Sequence, residues 1–423
     1  MLRVVAGLLI FFSVQVFGQK SSVTGSLFPL EGPRKEFILR DTIPVPGVRF
    51  PSEVVSAALA ARERVLAALP DTLCIIGTGD IMLGTNYPSS AYLPVRGDCS
   101  PLLQPVHRVL RSGDVLFGNL EGVFCGQGGT PKKCKDTTKC YVFRMPDHFI
   151  GCLMETGFDL LSVANNHVND FGPEGRMYTA SLLDSAGIAF AGFTSHPWVI
   201  LEKERIRYGF AAFAPHRGTM DLKDYAGAAR LTRMLDSLAD VVIISFHGGA
   251  EGRDHQHVIR ADEEYLGYNR GNTYRFAHTV VDAGADIVFG HGPHVIRAAE
   301  IYRDRLICYS LGNFCTYGRF NLSGPNGIAP IVKVFVDCRG KFLSGQAIPV
   351  YQSGEGGPRI DPSGRAIRKL MELTANDFPD TGPLILPDGT MVVRPTNSPG
   401  SGSGSPPERE IPPGAVDCND EFF

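Results

Sequence analysis

Two histidines flank a Gly-Pro turn at His291-Gly292-Pro293-His294, directly after the apolar run Asp286–Phe289. Glycine lets the backbone turn sharply and approach a ligand closely, and proline stiffens such a turn. Two imidazoles on a rigid turn at a strand end have the placement of metal ligands. Taken alone, the pair reads more readily as two hydrogen-bonded turn histidines. Five other strand ends carry similar residues: Gly79-Asp80 after Leu73–Gly77, Asn119-Leu120-Glu121 after Val115–Phe117, and Asn165-Asn166-His167 after Leu160–Ala164. His247 follows Val241–Phe246, and Gly312-Asn313 follows Leu306–Ser310. Carboxylate, amide and imidazole together suit Mn, Fe or Zn better than calcium, whose sites are all oxygen. The chemistry implied is hydrolysis: a divalent metal acidifies water, and a neighbouring histidine protonates a leaving group. The chain has no G-x-S-x-G elbow, no Walker loop and no G-x-G-x-x-G opening a helix after a strand, so serine hydrolase, nucleoside triphosphatase and dinucleotide enzyme rank below metal hydrolase.

Such residues need a frame that gathers distant strand ends. From Leu73 the pattern runs strand, loop, helix, repeatedly, with helical stretches at Pro101–Ser112, Asp147–Thr156, Pro173–Ala186, Asp224–Ala239 and Thr273–Ala283. Nearly all-apolar strands alternating with helices indicate α/β architecture with a covered sheet, and ligands bind at the rim formed by the strands' carboxyl ends. Ile206–Ala214 and Pro330–Asp337 read as further strands, the latter at or near an edge. The domain proper is read as residues 73–345, with 346–395 as a C-terminal extension carrying a helix near Ala366–Leu373 and a turn at Pro387-Asp388-Gly389. Residues 19–72 form an N-terminal segment with one helix, Ser52–Leu69. Residues 396–423 contain SPGSGSGSPPEREIPPG, a composition too polar and proline-rich to bury a core.

At 423 residues, 43% hydrophobic and 20% charged, the chain can build a sizeable core. A net charge of −3 argues against nucleic acid as a partner. Residues 1–18, MLRVVAGLLIFFSVQVFG, have the pattern of a secretory signal, with Val16-Phe17-Gly18 as a cleavage site. The expected mature protein is exported, periplasmic or extracellular, and has no transmembrane helix. Cys125, Cys134 and Cys140 crowd one Gly/Lys/Thr-rich loop, which in an exported protein reads as a disulfide staple.

Six segments also match a known family in order and form: GDIMLG (Gly79–Gly84), GNLEG (Gly118–Gly122), ANNHVNDFG (Ala164–Gly172), FHGGAE (Phe246–Glu251), GHGPHV (Gly290–Val295) and YSLGNF (Tyr309–Phe314). They resemble the CapA-type capsule and poly-γ-glutamate synthesis proteins, relatives of the calcineurin-like metallophosphoesterases, over about Leu73 to Phe378. The resemblance implies a four-layer α/β/β/α sandwich with one or two divalent ions at the sheet rim. It implies Asp80, Asn166, His247, His291 and His294 as ligands and His167 as the catalytic acid. Glu121 is read as a further ligand, and Asn119, Arg253 and Asn313 are read against substrate. Two departures from the phosphoesterase pattern stand out. Met82 occupies the place of a histidine two residues after the first aspartate, and Asn119-Leu120-Glu121 replaces the bridging-aspartate segment.

Two readings follow. One is an exported hydrolase acting on a cell-envelope polymer, poly-γ-glutamate or polysaccharide-linked, or on a phosphoester. The other is a non-catalytic protein that tethers an anionic capsule polymer during export, within a membrane-bound synthesis complex. Lys132, Lys133, Lys135 and Lys139 would meet such a polymer in the second reading, and Arg253, Arg260 and Arg270 could clamp its anions in either. The completeness of the ligand set favours the enzyme.

Overall fold

The computed structural model describes residues 72–133 and 140–395. The signal segment, the Ser52–Leu69 helix, Cys134, Lys135, Lys139 and the tail 396–423 lie outside them. Four strands open the first sheet in parallel register: β1 (Leu73–Met82), β2 (Val115–Leu120), β3 (Leu160–Ser162) and β4 (Ala189–Ala191). The chain then builds a second sheet from β5 (Trp198–Lys203), β6 (Ile206–Phe213), β7 (Val241–His247), β8 (Ile287–His291), β9 (Ala299–Tyr302) and β10 (Arg305–Cys308). Its order is β9-β10-β8-β7-β6-β5. The chain finally returns to the first sheet as β11 (Asn313–Thr316), β12 (Ile328–Val336) and β13 (Phe342–Tyr351).

β1 is the seam of the first sheet. Its first half pairs antiparallel with β12 and its second half pairs parallel with β11. The apolar sequence VVIISF of β7 is buried on both faces, because β7 lies between β6 and β8 and beneath both the helices and the opposing sheet. Phe117 of β2 stacks on Phe289 of β8, with centroids 5.1 Å apart, and joins the inner faces of the two sheets. Each buried ring of this kind contributes roughly 1.5–3 kcal/mol of transfer free energy.

Helices cover the outer faces. α1 (Ile150–Thr156) and α2 (Gly172–Ser185) pack Leu153 and Leu183 against Ile76, Leu116 and Leu161 of the first sheet. α3 (Tyr225–Leu238) and α4 (Thr273–Asp282) begin at Asp224 and Asn272, whose side chains accept from Gly227 N and Arg275 N. They bury Leu235, Phe276 and Val280 on the second sheet. The layers are thus α/β/β/α, the fold expected. α5 (Arg365–Asp377) turns Ile367, Leu370 and Leu373 into the same core.

Three expectations change. Pro330–Asp337 belongs not to an edge but to β12, between β1 and β13. Pro330 lies opposite Pro349 and beyond Val332–Val336, the stretch paired with β1, so its missing N–H interrupts no rung to β1. The helix read across Pro101–Ser112 is broken by a 3-10 turn, Gln104–Val106, at Pro105. The boundary at 345/346 falls inside β13, so the first part of the supposed extension is a strand of the main sheet.

Cys140 is disulfide-bonded, whereas Cys125 is a buried free thiol. A second disulfide, Cys99–Cys152, ties the segment after β1 to α1. Among the described residues no helix is long and apolar enough to cross a membrane.

Candidate metal centre

The site forms where β1 stops being regular. Its register shifts between Gly77 and Asp80 against β2, and again between Asp80 and Ile81 against β11. Asp80 N donates to Gly312 O at 2.9 Å, and a Cβ on Gly79 would lie 1.9 Å from that oxygen. Only glycine permits this approach, which delivers Asp80 fully buried at the rim. Glu121 follows β2 and is held by its own N–H on Ile81 O at 2.8 Å. His247 ends β7. His294 holds a left-handed φ of 57°, a strained conformation for a residue with a side chain.

Asp80, Glu121 and His247 each offer an atom within 4.8 Å of the others, all buried. His294 Nδ1 lies 2.7 Å from Asp80 Oδ2, and its Nε2 lies 3.9 Å from Glu121 Oε1. His247 Nδ1 lies 3.3 Å from Glu121 Oε2. Asn119 Nδ2 donates to Asp80 Oδ1 at 2.8 Å and to Glu121 Oε2 at 2.6 Å. Expected against substrate, Asn119 instead orients the two carboxylates.

Burial opposes a charge on Asp80, but the His294 hydrogen bond and the surrounding imidazoles outweigh it and hold the carboxyl at about 2. Burial and then the Asp80 charge push Glu121 up to about 7. Burial also opposes the His294 imidazolium, yet contact with Asp80 carries it to about 10. His247 sits well below its ordinary value through burial and then the Arg270 charge. Two neighbouring carboxylates and a neutral imidazole out of water are a cation-binding arrangement. Glu121 Oε1, His247 Nε2 and Asn166 Oδ1 are buried with no hydrogen-bond partner among the described residues. The unmet Glu121 Oε1 and His247 Nε2, both within the cluster, and the mixed oxygen/nitrogen donor set fit a divalent metal.

His167 stands beside this group. Its Nδ1 lies 2.7 Å from Asp170 Oδ2 and its Nε2 lies 4.0 Å from Glu121 Oε1. Asn165 Oδ1 accepts from His167 N at 3.0 Å while Asn165 Nδ2 donates to Leu120 O at 2.8 Å, which sets the loop. Lys132 Nζ meets the other Asp170 oxygen at 2.6 Å, and Phe143 stacks on the imidazole with centroids 4.2 Å apart.

Other expected residues are placed differently. His291 is paired in register with His247, but its Nε2 lies 3.0 Å from Thr78 O and its Nδ1 3.4 Å from Ser245 Oγ. Both its nitrogens therefore have partners away from the acidic cluster. Asn313 donates to Asn326 O at 3.1 Å and leaves Oδ1 buried and unpartnered. Arg253 is exposed. The arginine at the rim is Arg270, paired with Glu251 at 2.9 Å.

The sequence pattern assigns no role to Glu251 or His216, and reads Asp170 only as a carboxylate that His167 could meet. The His216 ring lies 6.4 Å from that of His247, and its Nε2 has no partner among the described residues. The signal for His216 was present: it stands three residues past the end of β6, beside the strand end that carries His247.

A profile described as Bacterial capsule synthesis protein PGA_cap matches residues 74–317, more than half of the chain. The chain belongs to this capsule synthesis protein family. It is 24% identical over 263 residues to a Bacillus anthracis protein named Capsule biosynthesis protein CapA, covering 58% of this chain and 60% of that one. It is 25% identical over 279 residues to PGA biosynthesis protein CapA of Bacillus subtilis, covering 61% and 67%. The match thus spans less than two thirds of the first relative's length. A hypothetical protein from Thermus thermophilus superposes loosely, with a TM-score of 0.40 and 16% identity, over 67% of this chain and 100% of that one.

Proposed function

We propose that this member of the capsule synthesis family is an exported, metal-dependent hydrolase that cleaves an amide or phosphoester bond in a cell-envelope polymer. The observation that carries the proposal is the buried set Asp80, Glu121 and His247, with Glu121 Oε1 and His247 Nε2 unpartnered among the described residues and the His167 imidazole beside it. Asp80, Glu121 and His247 would hold a divalent ion, with His294 in reach. Such an ion supplies Lewis-acid chemistry, acidifying water and polarising the scissile group.

The remaining roles fall to the chain's own groups. His167 Nδ1–H donates to Asp170, which fixes the tautomer and points Nε2 toward the rim, from where it protonates the leaving group. Lys132 and the Phe143 N–H, 2.6 Å from Asp170 Oδ2, keep that carboxylate in place. Phe143 fixes the imidazole plane by stacking. Asn119 holds Asp80 and Glu121 in one orientation.

The test is metal analysis of protein purified without chelator, joined to hydrolysis of poly-γ-glutamate and of bis-p-nitrophenyl phosphate with added Mn or Zn. Stoichiometric metal and metal-dependent turnover are expected. Near-zero metal after adding Mn or Zn, with no turnover, overturns the proposal in favour of a polymer-tethering protein.

A further inference from the structure

Arg270 lies on the second strand of a small ribbon, Glu263–Tyr265 paired with Tyr268–Gly271, inserted between β7 and α4. Leu266 and Gly267 turn the ribbon with φ of 51° and 77°, the left-handed pair of a two-residue hairpin. The Arg270 side chain is 6% exposed and meets Glu251 Oε1 through Nη1 alone, at 2.9 Å. Nε and Nη2 are buried and have no partner among the described residues.

Other arginines in the protein show what a structural pair looks like. Arg297 grips Glu263 with Nη1 at 2.8 Å and Nη2 at 2.6 Å. Arg207 grips Asp240 with Nε at 3.2 Å and Nη2 at 2.9 Å. Where a carboxylate is met through one nitrogen, as Arg305 Nε meets Asp286, the other nitrogens still find carbonyls, Nη1 on Asp304 O at 3.4 Å and Nη2 on Arg339 O at 3.0 Å. Arg270 instead leaves its Nε/Nη2 edge unengaged, the edge that binds two oxygens of one carboxylate or phosphate side by side. Leaving charged donors dry and unpaired is costly, so the arrangement calls for an anion from outside.

The location suits a substrate. His216 Nε2 is likewise unpartnered among the described residues, and its ring lies 6.4 Å from that of His247. Gly249 N, two residues past His247, donates to Arg270 O at 3.1 Å, so His216 and Arg270 both lie against the strand end that carries His247. The support behind it is rigid. Glu263 Oε2 accepts from Ala250 N at 3.0 Å while held by Arg297, and Gly249 N donates to Arg270 O at 3.1 Å. The segments bearing Glu251 and Arg270 are therefore fixed before any ligand arrives.

We propose that Arg270, with His216 beside it, forms an oxyanion subsite next to the metal centre, so that the preferred substrate carries a carboxylate or phosphate near the bond cleaved. This rests on reading Asp80, Glu121 and His247 as the reaction site. The test is calorimetric titration of the metal-loaded full chain with inorganic phosphate and, separately, with glutarate, in wild type, Arg270→Lys and the double variant Arg270→Gln/Glu251→Gln. The double variant removes both charges together and strands no lone buried carboxylate. Metal content is measured in each.

The favoured probe should bind about 10- to 100-fold more weakly in both variants, with metal content unchanged. Arg270→Lys keeps the charge but lacks the fork, so its loss separates side-on recognition from a general positive field. Tighter wild-type binding of phosphate identifies a phosphate-bearing substrate, and tighter binding of glutarate a carboxylate-bearing one. Variants that keep metal and bind both probes as wild type does overturn the subsite, as does a wild type that binds neither. If no metal loads and anion binding still depends on Arg270, the hydrolase reading fails and the subsite stands.

Discussion

Replacing His167 by alanine separates proton donation from loop support. The substitution removes the contact with Asp170, worth about 1 kcal/mol net, and the stacking on Phe143, worth about 0.5–1.5 kcal/mol. Asp170 keeps Lys132 and the Phe143 N–H, so no bare carboxylate is left behind. The expected cost is about 1–3 kcal/mol of stability, visible as a modest fall in Tm, with metal content retained. The effect on rate is larger. General acid catalysis contributes about 10²–10⁴-fold, or about 3–5 kcal/mol of barrier at 1.36 kcal/mol per decade. That loss should depend on the leaving group. p-Nitrophenolate departs without a proton, so bis-p-nitrophenyl phosphate should lose little in kcat. A substrate with an alkoxide or amine leaving group should lose the full factor. Equal losses on both substrates, or full activity per folded molecule on the poor leaving group, would refute the assignment of His167 as proton donor.

Glu121→Gln and His247→Ala should each lower bound metal and, by linkage, the Tm measured with excess Mn; full metal retention in both would remove them from the site. His291→Ala should lower Tm while keeping metal, because its nitrogens are engaged with Thr78 O and Ser245; loss of metal in that variant would make it a ligand. Protons compete with metal for Glu121, which in the metal-free protein titrates at about 7. Affinity should therefore fall more steeply with each pH unit below that point than above it, as competition titrations across about pH 5–8 would show. The double variant Cys99→Ser/Cys152→Ser opens a link of sequence separation 53 and should cost about 2–4 kcal/mol in denaturant unfolding, against about 4 kcal/mol from chain entropy alone.

The strand positions and the rim were legible because nearly every first- and second-sheet core strand is a short apolar run that ends in a polar or glycine residue. Leu73–Gly77, Val241–Phe246 and Asp286–Phe289 needed no partner to be read. The hairpins were not legible. β5–β6 and β9–β10 turn on Glu204-Arg205 and Arg303-Asp304, all with positive φ, and these residues carry none of the Asn-Gly signal that marks such turns. β13 reads as the margin of an extension because its half-polar pattern becomes meaningful only once β12 lies beside it.

Within the site, sequence alone determined which residue types stand at the strand ends and which chemistry they can support. Tertiary structure decided their roles, because a hydrogen bond depends on where a side chain points across the rim. His291 and His294 sit three residues apart on one turn, yet the first is engaged with Thr78 O while the second, at φ 57°, reaches Asp80. Arg253 and Arg270 look alike in a polar stretch, but only the ribbon geometry buries Arg270 beside Glu251. Asn119 reads as a substrate contact until its amide is found between Asp80 and Glu121. Local pattern sets what each residue could do, and the packing of two sheets sets which partner lies within about 3 Å of it.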